Sequence, residues 1–182
     1  LARAGVTATG AGSLSSTEGA VITTGTLSAA GRAVTITSAT DVTLGSVAAG
    51  SLDVDATGAL TLTDVEVDAA TLAGASISGG DTLVVGSLTA TATNDLSLAG
   101  VTATGAVTLA STEGAVTTTG ALSAAEQTVS ITSATDATLG SVAAGLVDVD
   151  ATGVLTLATV TAGATTLTGA TISATGDLAT SD

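Results

Sequence analysis

The only side chains in this 182-residue sequence with a capacity for acid–base or metal chemistry are its carboxylates. Sixteen Asp and Glu stand against two basic residues, Arg3 and Arg32, and there is no His and no Cys. Ser-His and Cys-His arrangements are therefore impossible, and with no Lys a Ser-Lys dyad is excluded too. Two carboxylate pairs remain, Asp53 with Asp55 and Asp148 with Asp150. Each lies in an alternating run that sets both acids on one outward strand face. Such a pair can act as general acid and base, or supply oxygens to a hard cation. An isolated Asp-x-Asp offers too few ligands for calcium, so the expected role is a solvated face that keeps the chain in solution. The calcium-binding nonapeptide GGxGxDxUx is absent, and Gly79-Gly80-Asp81 is only a fragment of it. No residue is assigned to a catalytic, cofactor-binding or metal site, and the chain is not expected to be an enzyme.

Other motifs recur without calling for chemistry. Thr-Glu-Gly at 17–19 and 112–114, and Ala-Thr-Gly at 56–58 and 151–153, read as turns in which Gly closes a corner. A phosphate-binding Gly loop needs a strand leading into a helix, and no helix is predicted. Thr-x-Thr appears at Thr7/Thr9, Thr35/Thr37, Thr61/Thr63, Thr89/Thr91, Thr102/Thr104 and Thr117/Thr119. Stacked pairs of this kind resemble the ice-binding faces of some β-helical antifreeze proteins. Their irregular spacing distributes them over different faces, so generic strand threonine is the expected reading. Arg3 and Arg32 are expected to be solvated.

The elements that carry these residues follow from repetition. Gly5-Val-Thr-Ala-Thr-Gly10 returns as Gly100-Val-Thr-Ala-Thr-Gly105, and Asp53-Val-Asp-Ala-Thr-Gly58 returns as Asp148-Val-Asp-Ala-Thr-Gly153. Both recur 95 positions later, without a gap. This divides the chain into a long unit at 5–99 and a second, partial unit at 100–182. Within each unit a finer period of about 19 residues appears, in the range of solenoid coils. Local patterning is strict alternation: Leu52, Val54 and Ala56 share one face, Asp53 and Asp55 the other. β-Branched residues and frequent Gly argue against helix. The fold class expected is all-β, a right-handed parallel β-helix (a three-sided solenoid) with strands of three to five residues. The coils are not equal, and Val107 to Val129 runs longer than its neighbours. Nine or ten coils at about 4.8 Å give a rod of about 45 Å.

Composition agrees. There is no Phe, Trp, Tyr, Met or Pro, yet 45% of residues are hydrophobic. A core of Val, Leu, Ile and Ala alone must be narrow. The net charge of −14 makes nucleic acid and anionic membrane surfaces poor partners. No apolar run is long enough for a membrane-spanning helix. The chain starts Leu1-Ala2-Arg3 without an initiator Met, which suggests a piece of something longer.

The phrases Leu52-Asp-Val-Asp-Ala-Thr-Gly-Ala-Leu-Thr-Leu62 and Leu88-Thr-Ala-Thr-Ala-Thr-Asn-Asp-Leu-Ser-Leu98 are similar to filamentous-haemagglutinin-type repeats. The resemblance implies a parallel β-helix within a long bacterial exoprotein of the two-partner secretion family, exported by an outer-membrane transporter. It places the chain outside the cell or on its surface. The implied function is the shaft of a cell-surface adhesin, holding a distal domain that meets a host or neighbouring cell. The alternative is an extracellular filament in which the chain associates with itself, end to end or laterally. An ice-binding face and a polysaccharide-lyase-type enzyme are weaker readings. The family's amino-terminal secretion domain is not represented in the sequence.

Overall fold

In the computed structural model, residues 1–180 are described. They form a parallel β-solenoid of about ten turns, all strand and turn with no helix. One coil shows how it closes. Val42–Leu44 pairs with Leu60–Leu62, Ser46–Ala49 with Asp64–Val67, and Ser51–Asp55 with Ala69–Ala73, all parallel. The ladder skips only Gly45 and Gly50, which turn the first two corners, and Thr57-Gly58 turns the third. The coil therefore has three sides, here called faces 1, 2 and 3 in chain order. Because a corner occupies so little chain, strands run through it. Val42–Ala56 is one strand of 15 residues and Ser76–Ala92 one of 17, longer than the short strands predicted from alternation.

Each face places like residues over like. On face 2 Val47, Val65, Leu83, Val101 and Leu122 form one buried column. Fully burying such a side chain contributes roughly 1.5–3 kcal/mol. The columns are aliphatic apart from the buried hydroxyl side chains of Thr23, Ser38, Ser111, Thr118 and Ser133. Val, Leu, Ile and Ala make up the buried hydrophobic residues, in keeping with a sequence that has no aromatic residue.

The coils differ in length, and the difference sits only in the corners. Following the central residue of face 1 gives Ala2, Ile22, Thr43, Thr61, Ser78, Ser97, Thr117, Thr138, Thr156 and Ser173. The steps are 20, 21, 18, 17, 19, 20, 21, 18 and 17 residues, so the order of coil lengths itself recurs after five coils. On the faces the spacing is constant. Inward residues on face 1 are two apart, as in Val42 and Leu44 or Leu96 and Leu98. Those on face 3 span four, as in Leu52, Val54 and Ala56 or Val129, Ile131 and Ser133. The corner between faces 2 and 3 is three positions from Ala49 to Leu52, four from Ala103 to Val107 and five from Ala124 to Val129. The long stretch noted in the sequence is the pairing of Val107 with Val129, a 22-residue step.

The widest corners carry the strained backbone. Register shifts occur between Ala29 and Ala33, and between Ala124 and Thr128. At their apices Gly31 has φ 68° and Glu126 has φ 61°. These two residues occupy equivalent places in the long repeat. Only Gly adopts this conformation without a steric penalty. Glu126→Gly should therefore raise stability by about 1 kcal/mol, measured by chemical denaturation, and Gly31→Ala should lower it by a similar amount.

Candidate functional site

The two Asp pairs lie on face 3 and point outward, as alternation requires. Asp53 and Asp55 stack between Thr35 and Thr37 on one side and Thr71 and Ala73 on the other. Asp148 and Asp150 stack between Ser130/Thr132 and Thr166/Thr168. Within a pair the Cα atoms are about 7 Å apart by strand rise. That separation suits carboxylates that work through an intervening water. Acid–base use also needs an enclosed substrate and an environment that keeps one member protonated. Here both acids stand on an open, solvated sheet. A hard cation fares no better. Among the described residues no group of three or more acidic side chains converges, and a hydroxyl ladder offers no anionic oxygens.

Other carboxylates do structural work that the sequence reading did not single out. Asp41 Oδ1 accepts the backbone N–H of Ala59 at 2.8 Å, Asp95 Oδ1 that of Ala115 at 2.9 Å and Asp136 Oδ1 that of Val154 at 2.7 Å. Each reaches across the corner between faces 3 and 1 to start the strand of the next coil. The residue lying under each carboxylate is Gly58, Gly114 or Gly153, where a Cβ would collide with it. Ala-Thr-Gly at 56–58 and 151–153 and Thr-Glu-Gly at 112–114 thus each place Gly beneath the Asp of the preceding coil, whereas Gly19 of the other Thr-Glu-Gly meets only Ser16. Inside the same corner, Ser38 Oγ lies 3.0 Å from the Gly19 carbonyl and 3.1 Å from that of Asp41. Ser133 repeats the arrangement with Gly114 and Asp136, at 3.1 and 2.8 Å. Buried hydroxyls here close backbone hydrogen bonds.

The six Thr-x-Thr pairs are divided among the faces, two to each. Face 3 nonetheless carries a hydroxyl doublet at the same place in several coils, including Ser13/Ser15, Thr35/Thr37, Thr89/Thr91, Ser130/Thr132 and Thr166/Thr168. Thr71/Ala73 and Thr108/Ala110 contribute one hydroxyl each, and the Asp pairs interrupt the array. Unequal corners hide this alignment from a search for constant spacing. The charged rows divide the hydroxyl surface into short patches.

Two open grooves follow from the corner lengths. Below the wide corner at Gly31 the next coils cut the corner short, leaving a recess of about 490 Å³ lined by Ala48, Glu66, Asp68 and Val84. Below Glu126 the equivalent recess is about 440 Å³, lined by Ala144, Thr161 and Gly163. The acids of the first groove are replaced by Thr and Gly in the second, so the recess persists while its chemistry does not. Arg32 is exposed at the apex of the first wide corner. Arg3 is also exposed, but its register puts it over Thr23, a position buried in the core. Thr23 Oγ1 has no hydrogen-bond partner. No helix among the described residues is long and apolar enough to cross a membrane.

Comparison with protein-family models, curated proteins and solved structures gives no match to this chain.

Proposed function

We propose that the chain is a structural shaft, a rod whose task is reach rather than chemistry. One observation supports this above others: the coils keep to 17–22 residues, with every added residue absorbed in a corner and none extended into a loop. Sites on repetitive β scaffolds are built from long loops and enclosed clefts; among the described residues no coil extends into a long loop, and the two recesses at the wide corners are open. Its surface is short hydroxyl side chains and isolated carboxylates. With a net charge of −14 it repels its neighbours and stays in solution. The resemblance to filamentous-haemagglutinin-type repeats extends the proposal to a bacterial surface adhesin or exoprotein, exported through an outer-membrane transporter, with binding to a host or neighbouring cell carried by other domains. Antibodies raised against the chain should label intact source cells at a stand-off from their surface. Labelling that appears only after the cells are permeabilised would count against an external shaft.

A rival reading is a filament of chains stacked end to end. It draws on the coil-to-coil stacking itself, whose parallel backbone ladders repeat from turn to turn with like residues over like. It predicts continuous fibres in electron micrographs, where a shaft predicts separate short rods.

A further inference from the structure

The two wide corners are built alike, but only the first carries an arginine. At that corner Ala29 pairs with Ala49 and Ala33 with Ser51, so Ala30, Gly31 and Arg32 stand opposite the single Gly50 and join no ladder on that side. Toward the preceding coil the pairing stops at Thr7 with Ser28 and resumes at Gly12 with Val34. At the second corner Ala124 pairs with Ala144 and Thr128 with Leu146, which leaves Ala125, Glu126 and Gln127 outside the ladder. Gln127 stands where the first corner has Arg32.

An endoprotease takes its substrate as an extended segment, so the residues it binds must first leave their neighbours. Exposed tips of small residues are where nicking concentrates. Ala30, Gly31, Arg32 and Ala33 are all exposed, and a Cβ on Gly31 would meet nothing within 4 Å. Ala30, Gly31 and Arg32 have no ladder bonds to give up. Gly31, held at φ 68°, can swing to an extended conformation with no side chain in the way. On a face, each residue is paired with the coils on both sides, and cutting must wait for the coils to open. The arginine supplies recognition, because a guanidinium is held by a carboxylate through paired N–H···O bonds.

We propose that the Arg32–Ala33 bond is a processing site for an arginine-specific endoprotease, one whose primary pocket holds a carboxylate. Hydrolysis breaks the bond between the Arg32 carbonyl carbon and the Ala33 nitrogen. The oxygen of one water goes to the carbon and its two protons to the nitrogen, leaving a carboxylate and an ammonium. The stack bridges the cut. Gly12–Ser16 stay paired with Val34–Ser38, Val21–Thr23 with Val42–Leu44 and Leu27–Ala29 with Val47–Ala49. What is lost is covalent continuity, so a cut rod keeps its fold at rest and parts under axial load. The inference goes beyond the shaft role and does not rest on it.

Trypsin at physiological salt tests it, with product masses and circular dichroism recorded together. The folded chain should release the 33–182 fragment under denaturing electrophoresis, while the nicked material keeps the dichroism of the intact chain. Gln127→Arg should add a cut at the second corner. Thr61→Arg puts the same side chain on an exposed position paired with Thr43 and Ser78, and should be cut there about a hundredfold more slowly. A chain that resists cutting at Arg32 until denaturant abolishes its dichroism would overturn the proposal. So would cutting of folded Thr61→Arg as fast as at the corner, a folded Gln127→Arg chain left whole at the second corner, or loss of dichroism on nicking. The cell-surface labelling experiment is unaffected by any of these results.

Discussion

Deleting Thr71 should destabilise the rod by about 4 kcal/mol, while deleting Gly31 and Arg32 together should change stability by less than about 1 kcal/mol. Thr71 lies in the middle of face 3, between inward Ala70 and Leu72. Removing one residue from an alternating strand turns everything after it to the other side. The corners flanking this strand have no slack to absorb the shift. Val67 to Ala70 and Gly74 to Ile77 are each three positions, the shortest corners in the chain. Leu72 must therefore leave the core, or the corner must break. Gly31 and Arg32 lie instead at the apex of the five-position corner from Ala29 to Val34. Their removal leaves three positions, the length already used from Ala49 to Leu52 in the next coil. Denaturant midpoints with unchanged slopes would establish both values. A Thr71 deletion as stable as wild type would mean that faces, like corners, tolerate changes of length.

Leu98→Arg is the second large effect. Leu98 is 0% exposed and stacks between Gly79 and Thr118 in one inward column of face 1. There the guanidinium has coils above and below, and the neighbouring carboxylates point outward. An unpaired buried charge costs about 3–5 kcal/mol, whereas Leu98→Met, which conserves volume, should cost less than about 1.5 kcal/mol. The pair separates charge from bulk, and equal losses for Arg and Met would show that packing alone governs the column.

Much of this architecture is legible in the residues. Alternation at Leu52, Val54 and Ala56 gives the buried side of a strand, and the repeat of Gly5–Gly10 at Gly100–Gly105 gives the long unit. The absence of aromatic residues gives the narrow core. Less legible is the alignment of coils, because corners of three, four and five positions displace each period by a different amount. That is why the Thr and Ser doublets of face 3 read as scattered Thr-x-Thr pairs. Arg3 and Arg32, expected to be solvated, are both exposed; the register that sets Arg3 over Thr23, 20 positions away, is not visible in the sequence. The Asp pairs were conspicuous in the sequence and proved to be an open face. The structurally committed acids, Asp41, Asp95 and Asp136, stand singly and gave no motif until the Gly beneath each was in view.

The parallel stacking has a mechanical consequence. Backbone hydrogen bonds between coils point along the rod, so tension along its axis opens them one coil at a time. Each coil of about 18 residues then releases about 60 Å of extended chain for the 4.8 Å it occupied when stacked. A rod built this way is stiff against bending and yields by paying out line. Under a sudden pull each opened coil lengthens more than tenfold while the remaining coils keep their fold.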